Sequence, residues 1–217
     1  MLTKEQKIIL KEIFNSKICD ISTWGGGTAL SEIYLKHRKS EDIDIILSDL
    51  PPTIELTILS NKIKQKLNAV KKKAIIKLNR FQYIFELSNN NQYKLEFVYY
   101  PFIKLTKPKK IGEIKTESLI DIAVSKTLAA YQRKEIKDTY DLFIILYEKY
   151  FTLDKLIKGV EKKFGEEIDS GLFLAKLMAN LNNFQKLRPM LIKKYPKKLI
   201  ANFFQDEFNK FLKRQKF

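Results

Sequence analysis

Apolar positions recur along this chain in two rhythms, and the change from one to the other near residue 115 divides it. Up to that point short β-branched and aromatic runs alternate with turns; beyond it the spacing is helical throughout. Ile8, Ile9, Ile13 and Phe14 among good helix formers predict an amphipathic helix over 3–15, closed by Ser16-Lys17. Residues 18–24 predict a strand running into Gly25-Gly26-Gly27, and Thr28-Ala29-Leu30 then opens a helix that reaches Lys36-His37. Asp42-Ile43-Asp44-Ile45-Ile46-Leu47 predicts a core strand, stopped by Pro51-Pro52. A helix over 53–68, a tight hairpin of strands 73–78 and 81–87, a turn at Asn89-Asn90-Asn91 and a strand over 93–100 follow. After Pro108 and Gly112, helices are predicted over 118–131, 137–150, 153–164, 167–178, around 183–195 and over 197–214, with Pro189 and Pro196 as breaks. The expectation is an α+β protein: a mixed sheet flanked by helices over 1–115 and a mainly helical part over 116–217.

With 45% hydrophobic and 12% aromatic residues in 217, the chain is too apolar for disorder, and no apolar run approaches a membrane span. No signal-like leader is visible and a single cysteine, Cys19, makes no internal disulfide, so the expectation is a cytoplasmic protein without a membrane partner. One cysteine and one histidine, His37, exclude zinc sites of the Cys/His kind, leaving carboxylates for any metal. The net charge is +16, and 36 of the 41 basic residues are lysine. Residues 62–80 hold eight basic residues and no acidic one, and 180–217 hold ten against Asp206 and Glu207. Such segments attract polyanions, although lysine also simply solvates surfaces.

The candidate chemistry starts at Asp42 and Asp44. Alternate residues of a strand share a face, so two carboxylates stand side by side on a rigid element and repel unless a cation joins them. Oxygen-only donors select Mg²⁺ or Mn²⁺. Upstream, Gly26 and Gly27 lack the Cβ that would keep a phosphate from the backbone. Each feature alone also suits an ordinary turn or a solvated strand edge; their order points to nucleotidyl transfer. Glu96, among strand formers opposite Leu95 and Phe97, is a candidate third metal carboxylate and general base, or an exposed edge residue. Lys126 interrupts the apolar stripe of Leu119, Ile122 and Ala123, which places it to hold a phosphate or to snorkel to water. Asp138 and Asp141 share a helix face; Asp138 suits a cap, whereas Asp141 lies a turn inside.

Trp24-Gly25-Gly26-Gly27-Thr28-Ala29-Leu30, His37-Arg38-Lys39-Ser40-Glu41-Asp42-Ile43-Asp44-Ile45, Lys126 and Lys137-Asp138-Thr139-Tyr140-Asp141-Leu142 together resemble the AbiEii/AbiGii toxin family within the DNA polymerase β-like nucleotidyltransferases. The resemblance spans roughly residues 18–147. It implies a nucleotidyltransferase-type sheet with a helical C-terminal part, an NTP donor, Mg²⁺, a cognate antitoxin or phage-defence partner, and transfer of NMP to an RNA, the tRNA 3′ end among relatives. Carried over by position, Gly26, Gly27, Thr28, Arg38, Ser40 and Asp138 belong to nucleotide binding, Asp42 and Asp44 to the metal, Lys126 to the triphosphate and Asp141 to the fourth motif. Lys36 stands where relatives often have glycine, and Glu96 where the superfamily usually has aspartate. An RNA acceptor gives the basic segments a use and offers Tyr99, Tyr100 and Phe102 an unpaired 3′ end to stack on, core packing being the other use of such rings. The rival expectations are a transferase acting on a small molecule or protein hydroxyl, and a non-catalytic RNA-binding relative.

Overall fold

Thr3 starts the first helix with a reciprocal cap: its hydroxyl accepts from the Gln6 backbone N–H at 3.2 Å, while the Gln6 side chain accepts from the Thr3 N–H at 2.9 Å. The structure, a computed structural model, describes residues 2–214 and divides into two units, Met1–Tyr34 with Ser40–Ser118 and Leu35–Lys39 with Leu119–Phe217. The first contains a seven-stranded mixed sheet. In chain order its elements are α1 (Lys4–Phe14), β1 (Ser22–Gly25), α2 (Gly26–Ala29) continuing as a π-helical turn over Leu30–Leu35, β2 (Ile43–Leu47), α3 (Thr53–Lys66), β3 (Lys71–Lys77), β4 (Arg80–Glu86), β5 (Gln92–Tyr99), β6 (Lys109–Ile111) and β7 (Ile114–Thr116). The sheet order is β3-β4-β5-β2-β1-β7-β6, with β2 parallel to β5 and antiparallel to β1.

Strand alternation separates the two sheet faces. Ile43, Ile45, Leu47, Phe81, Tyr83, Phe85, Leu95 and Phe97 are buried together with Ile9, Leu10 and Ile13 of α1 and Leu56 and Ile63 of α3. The intervening positions, Asp44 and Ile46 on β2 and Lys94 and Glu96 on β5, are only half-buried. Lysine-rich β3 and β6 form the two sheet edges, where charged side chains discourage pairing with another chain.

Two features of this unit depart from the sequence reading. The strand expected over 18–24 begins only at Ser22, because the Cys19 N–H donates to the Ser16 carbonyl and the Ser22 N–H to the Cys19 carbonyl, turning the chain first. The pair β6 and β7 had no predicted counterpart: three residues each, joined across Gly112 at positive φ, are too short to display a period.

The second unit consists of α4 (Leu119–Gln132), α5 (Ile136–Tyr147), α6 (Leu153–Phe164), α7 (Ser170–Asn180), α8 (Phe184–Leu187) and α9 (Lys197–Arg214). Phe143 forms the centre of an aromatic cluster with Tyr147, Tyr195, Phe203 and Phe204. The helix expected from 167 starts at Ser170 because the Asp169 carboxylate accepts from the Leu172 N–H at 2.6 Å. That expected over 183–195 is broken into α8 and a 3₁₀ turn, after which Leu191 extends to pair with Arg38. Lys216, one of the basic tail residues, lies outside the described residues. Leu35–Lys39 groups with the later helices, away from its neighbours in sequence. No helix among the described residues is long and apolar enough to cross a membrane.

Candidate functional site

The half-buried sheet face carries the paired carboxylates. Asp44 lies on β2 directly beside Glu96 on β5, and Asp42 precedes the strand on the same alternation. Adjacent like charges destabilise a sheet unless something offsets them. Part of the offset is present: Lys94 Nζ approaches Asp42 Oδ2 at 3.3 Å, and Arg80 approaches Glu96 at 3.5 Å. Among the described residues no group of three or more His, Cys, Asp or Glu side chains is arranged to hold a metal ion, so Asp42, Asp44 and Glu96 are not a preformed triad. The aspartate pair still fits Mg²⁺ by its chemistry, because that ion takes one or two hard carboxylates and completes its shell with water and substrate phosphate.

The glycine turn is shaped around the same carboxylates. Gly26 has φ +71°, and a Cβ there would fall on the Asp44 carboxylate; one at Gly25 would fall on the Glu117 carboxylate. Glycine is therefore required at Gly26 both by backbone conformation and by space. The Thr28 hydroxyl bridges the Ser40 hydroxyl, at 2.9 Å, and the Asp42 carbonyl. The Gln6 amide donates to the Glu41 carbonyl at 2.9 Å and lies 3.3 Å from that of Ser40, which fixes the peptide leading into Asp42. Neither Gln6 nor Glu117 was singled out by sequence. The Thr3-x-x-Gln6 cap was a readable sign that Gln6 is ordered, whereas buried Glu117, which receives the Tyr34 hydroxyl on its carbonyl at 2.7 Å, had none.

Lys126, Asp138 and Asp141 meet in the second unit, with His37 and Arg38. Asp141 Oδ1 accepts from Arg38 Nε and lies against His37 Nε2, both at 2.6 Å; Oδ2 accepts from Arg38 at 2.9 Å and faces Lys126 Nζ at 3.0 Å. Lys126 also donates to Asp138 at 2.7 Å, and Arg133 holds the other Asp138 oxygen at 2.7 Å. Burial pushes the Asp141 carboxyl up, but Arg38 and Lys126 outweigh it and hold the group well below the usual carboxylate range. Burial likewise opposes ionisation of Asp138, which Lys126 and Arg133 nevertheless lower, and of Lys126, which Asp141 and Asp138 nevertheless raise. His37 Nδ1, on the far side of the ring from the carboxylate, is buried without a hydrogen-bond partner among the described residues.

Lys126 thus neither snorkels nor stands idle: it is 7% exposed and held by two carboxylates. Asp138 is no simple cap either, since Glu135 occupies that position. The cluster's backbone is fastened as firmly, with the Ile192 and Lys193 N–H groups both 2.9 Å from the His37 carbonyl and the Lys39 N–H 2.7 Å from that of Met190.

The aromatic and basic features are less concentrated. Tyr100 and Phe102 meet edge to face at 4.7 Å, Phe102 is exposed, and burial followed by the charge of Glu117 pushes the Tyr100 hydroxyl up to about 12. Within 62–80, Lys62 pairs with Glu12, Lys71 with Glu86 and Arg80 with Glu96, so part of that charge is neutralised locally.

Comparisons with known proteins agree with this architecture. The chain is 27% identical over 184 residues, 82% of each chain, to the uncharacterized protein aq_aa25 of Aquifex aeolicus (strain VF5). Its fold is similar to that of JHP933 from Helicobacter pylori, with a TM-score of 0.63 and 18% identity over 98% of this chain and 94% of that one. A second H. pylori structure, of a protein proposed to be a nucleotidyltransferase, gives 0.64 at 18% identity over 96% and 95%. The model of the AbiEii nucleotidyl transferase toxins of type IV toxin–antitoxin systems matches residues 22–217, from the first strand to the end of the chain. With that span covered, the chain belongs to the AbiEii family and is a nucleotidyltransferase of the toxin–antitoxin class.

Proposed function

We propose that the protein transfers a nucleoside monophosphate from an NTP to the 3′ end of an RNA, with tRNA as the acceptor, as the toxin partner of a cognate antitoxin. The observation that carries this reading is the placement of Asp42 and Asp44 on one half-buried sheet face, with Asp44 in register with Glu96 and overhung by the Cβ-free turn at Gly26. Asp42 and Asp44 would hold Mg²⁺, which when bound supplies charge neutralisation for the triphosphate. The Gly26-Gly27 backbone admits the phosphates closely, and Thr28 and Ser40 keep the Asp42 peptide in place. The acceptor hydroxyl oxygen forms a bond to the α-phosphorus, the bond to the β-phosphate bridging oxygen breaks, and pyrophosphate leaves. Glu96 receives the hydroxyl proton.

Arg38, Asp138 and Asp141 serve this reaction by holding the His37-Arg38 segment that leads into Ser40. Lys126, which the family resemblance assigns to phosphate, is committed to Asp138 and Asp141 and binds an anion only by giving up part of that hold. The test is incubation of purified protein with total tRNA, Mg²⁺ and each α-labelled NTP, beside Asp42→Ala. Label on tRNA with one NTP, lost in the variant, supports the reading. Label on a small molecule or protein instead overturns the acceptor, and transfer that survives in the variant overturns the site.

A further inference from the structure

Within the second unit, a cavity of about 530 Å³ is lined by Arg188, Lys194 and Lys197 around the rings of Phe184 and Tyr195, and no carboxylate lines it. All three cations are exposed, and none has an ion-pair partner among the described residues; Arg188 reaches only the neutral Gln185 side chain, at 3.2 Å. Lys193, between them in sequence, is turned away onto Glu148 at 2.6 Å and adds nothing to the cavity's charge. Three like charges around a concavity repel one another. The first turn of α9 repeats the conflict, since it carries Lys197 and Lys198 and no acidic residue where the helix dipole favours anions. Folding stability explains neither feature, and a bound anion relieves both.

The geometry points to this cavity as a binding site for backbone phosphate and an adjacent base of the acceptor RNA, a conclusion that rests on the RNA reading proposed above. Three cations suit successive phosphates, and Tyr195, only partly buried, supplies an apolar wall for a base. The loop that carries the site is joined to the His37-Arg38 motif by backbone: Leu191 pairs with Arg38, and the His37 carbonyl accepts from Ile192 and Lys193. RNA held at Arg188 and Lys194 is therefore bound on the loop whose backbone pairs with the His37-Arg38 segment.

The experiment is a fluorescence titration of the full chain with a labelled RNA hairpin bearing a single-stranded 3′ end, repeated over a range of salt concentrations. The triple variant Arg188→Ala, Lys194→Ala, Lys197→Ala is expected to bind at least tenfold more weakly near physiological salt, with the slope of log K against log salt reduced by about 2 to 3. NTP binding stays as in the parent and the thermal midpoint does not fall below the parent's, because the three side chains are exposed and their mutual repulsion is removed. Lys4→Ala, Lys7→Ala, Lys11→Ala removes the same charge from the exposed side of α1 and is expected to change RNA binding little. Equal weakening by both triples overturns the site in favour of bulk charge. Parent-like binding by the cavity variant also overturns it and leaves the RNA reading standing, whereas a parent protein that does not bind the hairpin overturns both.

Discussion

The two acidic regions of this protein use the same residue type in opposite ways. On the sheet face, Asp42 and Asp44 are half-buried, and the contact to Asp42 from Lys94 is a long one at 3.3 Å. In the helical unit, Asp138 and Asp141 are fully buried, and each carboxylate oxygen has a cationic partner or His37. A half-buried carboxylate at a strand suits contact with a substrate; a fully buried one whose oxygens are held by cations or His37 suits holding the chain. On the reading proposed above, motif residues that look alike in sequence divide into groups that act on substrate and groups that position other groups.

The largest expected effect tests the second role. Asp141→Ala leaves Arg38 and Lys126 buried without their shared counter-ion, and is expected to cost about 3–5 kcal/mol of stability, read as a lowered denaturant midpoint. A loss of activity with full stability breaks the comparison. Asp44→Asn tests the first role: transfer of label from the α-labelled NTP falls on the order of 10²–10³-fold, while stability stays within about 0.5 kcal/mol.

Gly26→Ala joins the two readouts. Positive φ and the clash with the Asp44 carboxylate are expected to cost about 1–3 kcal/mol, and activity falls with the displaced carboxylate. Acid titration reads the clamp of the helical unit. Asp138 and Asp141 have lowered folded-state values, so their stabilisation is complete above the unfolded value of about 3.9 and is lost as pH falls below it toward the folded values. Asp141→Asn accordingly flattens the acid limb of a stability–pH curve. Lys126, raised in the fold, contributes the converse: stabilisation complete below about 10.4 and lost as pH climbs through its folded value. The smallest effect is Lys36→Gly. Lys36 is exposed with φ +49°, so glycine is expected to raise stability by about 0.5–1 kcal/mol in thermal unfolding.

Local features were the legible ones. The period of two in Asp42-Ile43-Asp44-Ile45 placed both carboxylates on one face, and the helical stripe around Lys126 marked it as out of place, because each pattern is set by neighbours in sequence. The positive φ of Lys36 gives a physical reason for the glycine that the family resemblance leads one to expect there. What stayed hidden is non-local or too short to have a period. Asp141 shares a face with Asp138 in the helix pattern, but nothing nearby indicates that its partners lie 103 and 104 residues earlier at Arg38 and His37. Glu96 was placed on the correct strand face, but its approach to Arg80 depends on the β4–β5 register, which the sequence does not display. Gln6, Glu117 and the strands β6 and β7 likewise acquire their roles only through pairing across the fold.

The grouping of Leu35–Lys39 with the later helices has a consequence for the order in which the protein is made. When a ribosome has completed Ser118, the sheet residues Asp42, Asp44 and Glu96 already exist, but the Asp141 carboxylate that Arg38 grips is added only 103 residues after Arg38 itself. At about 5–20 residues per second, that wait lasts on the order of 5–20 s. A chain cut short before α5 carries the acidic motif without the clamp that fixes the peptide leading to it, so maturation of this toxin is tied to synthesis of its C-terminal half.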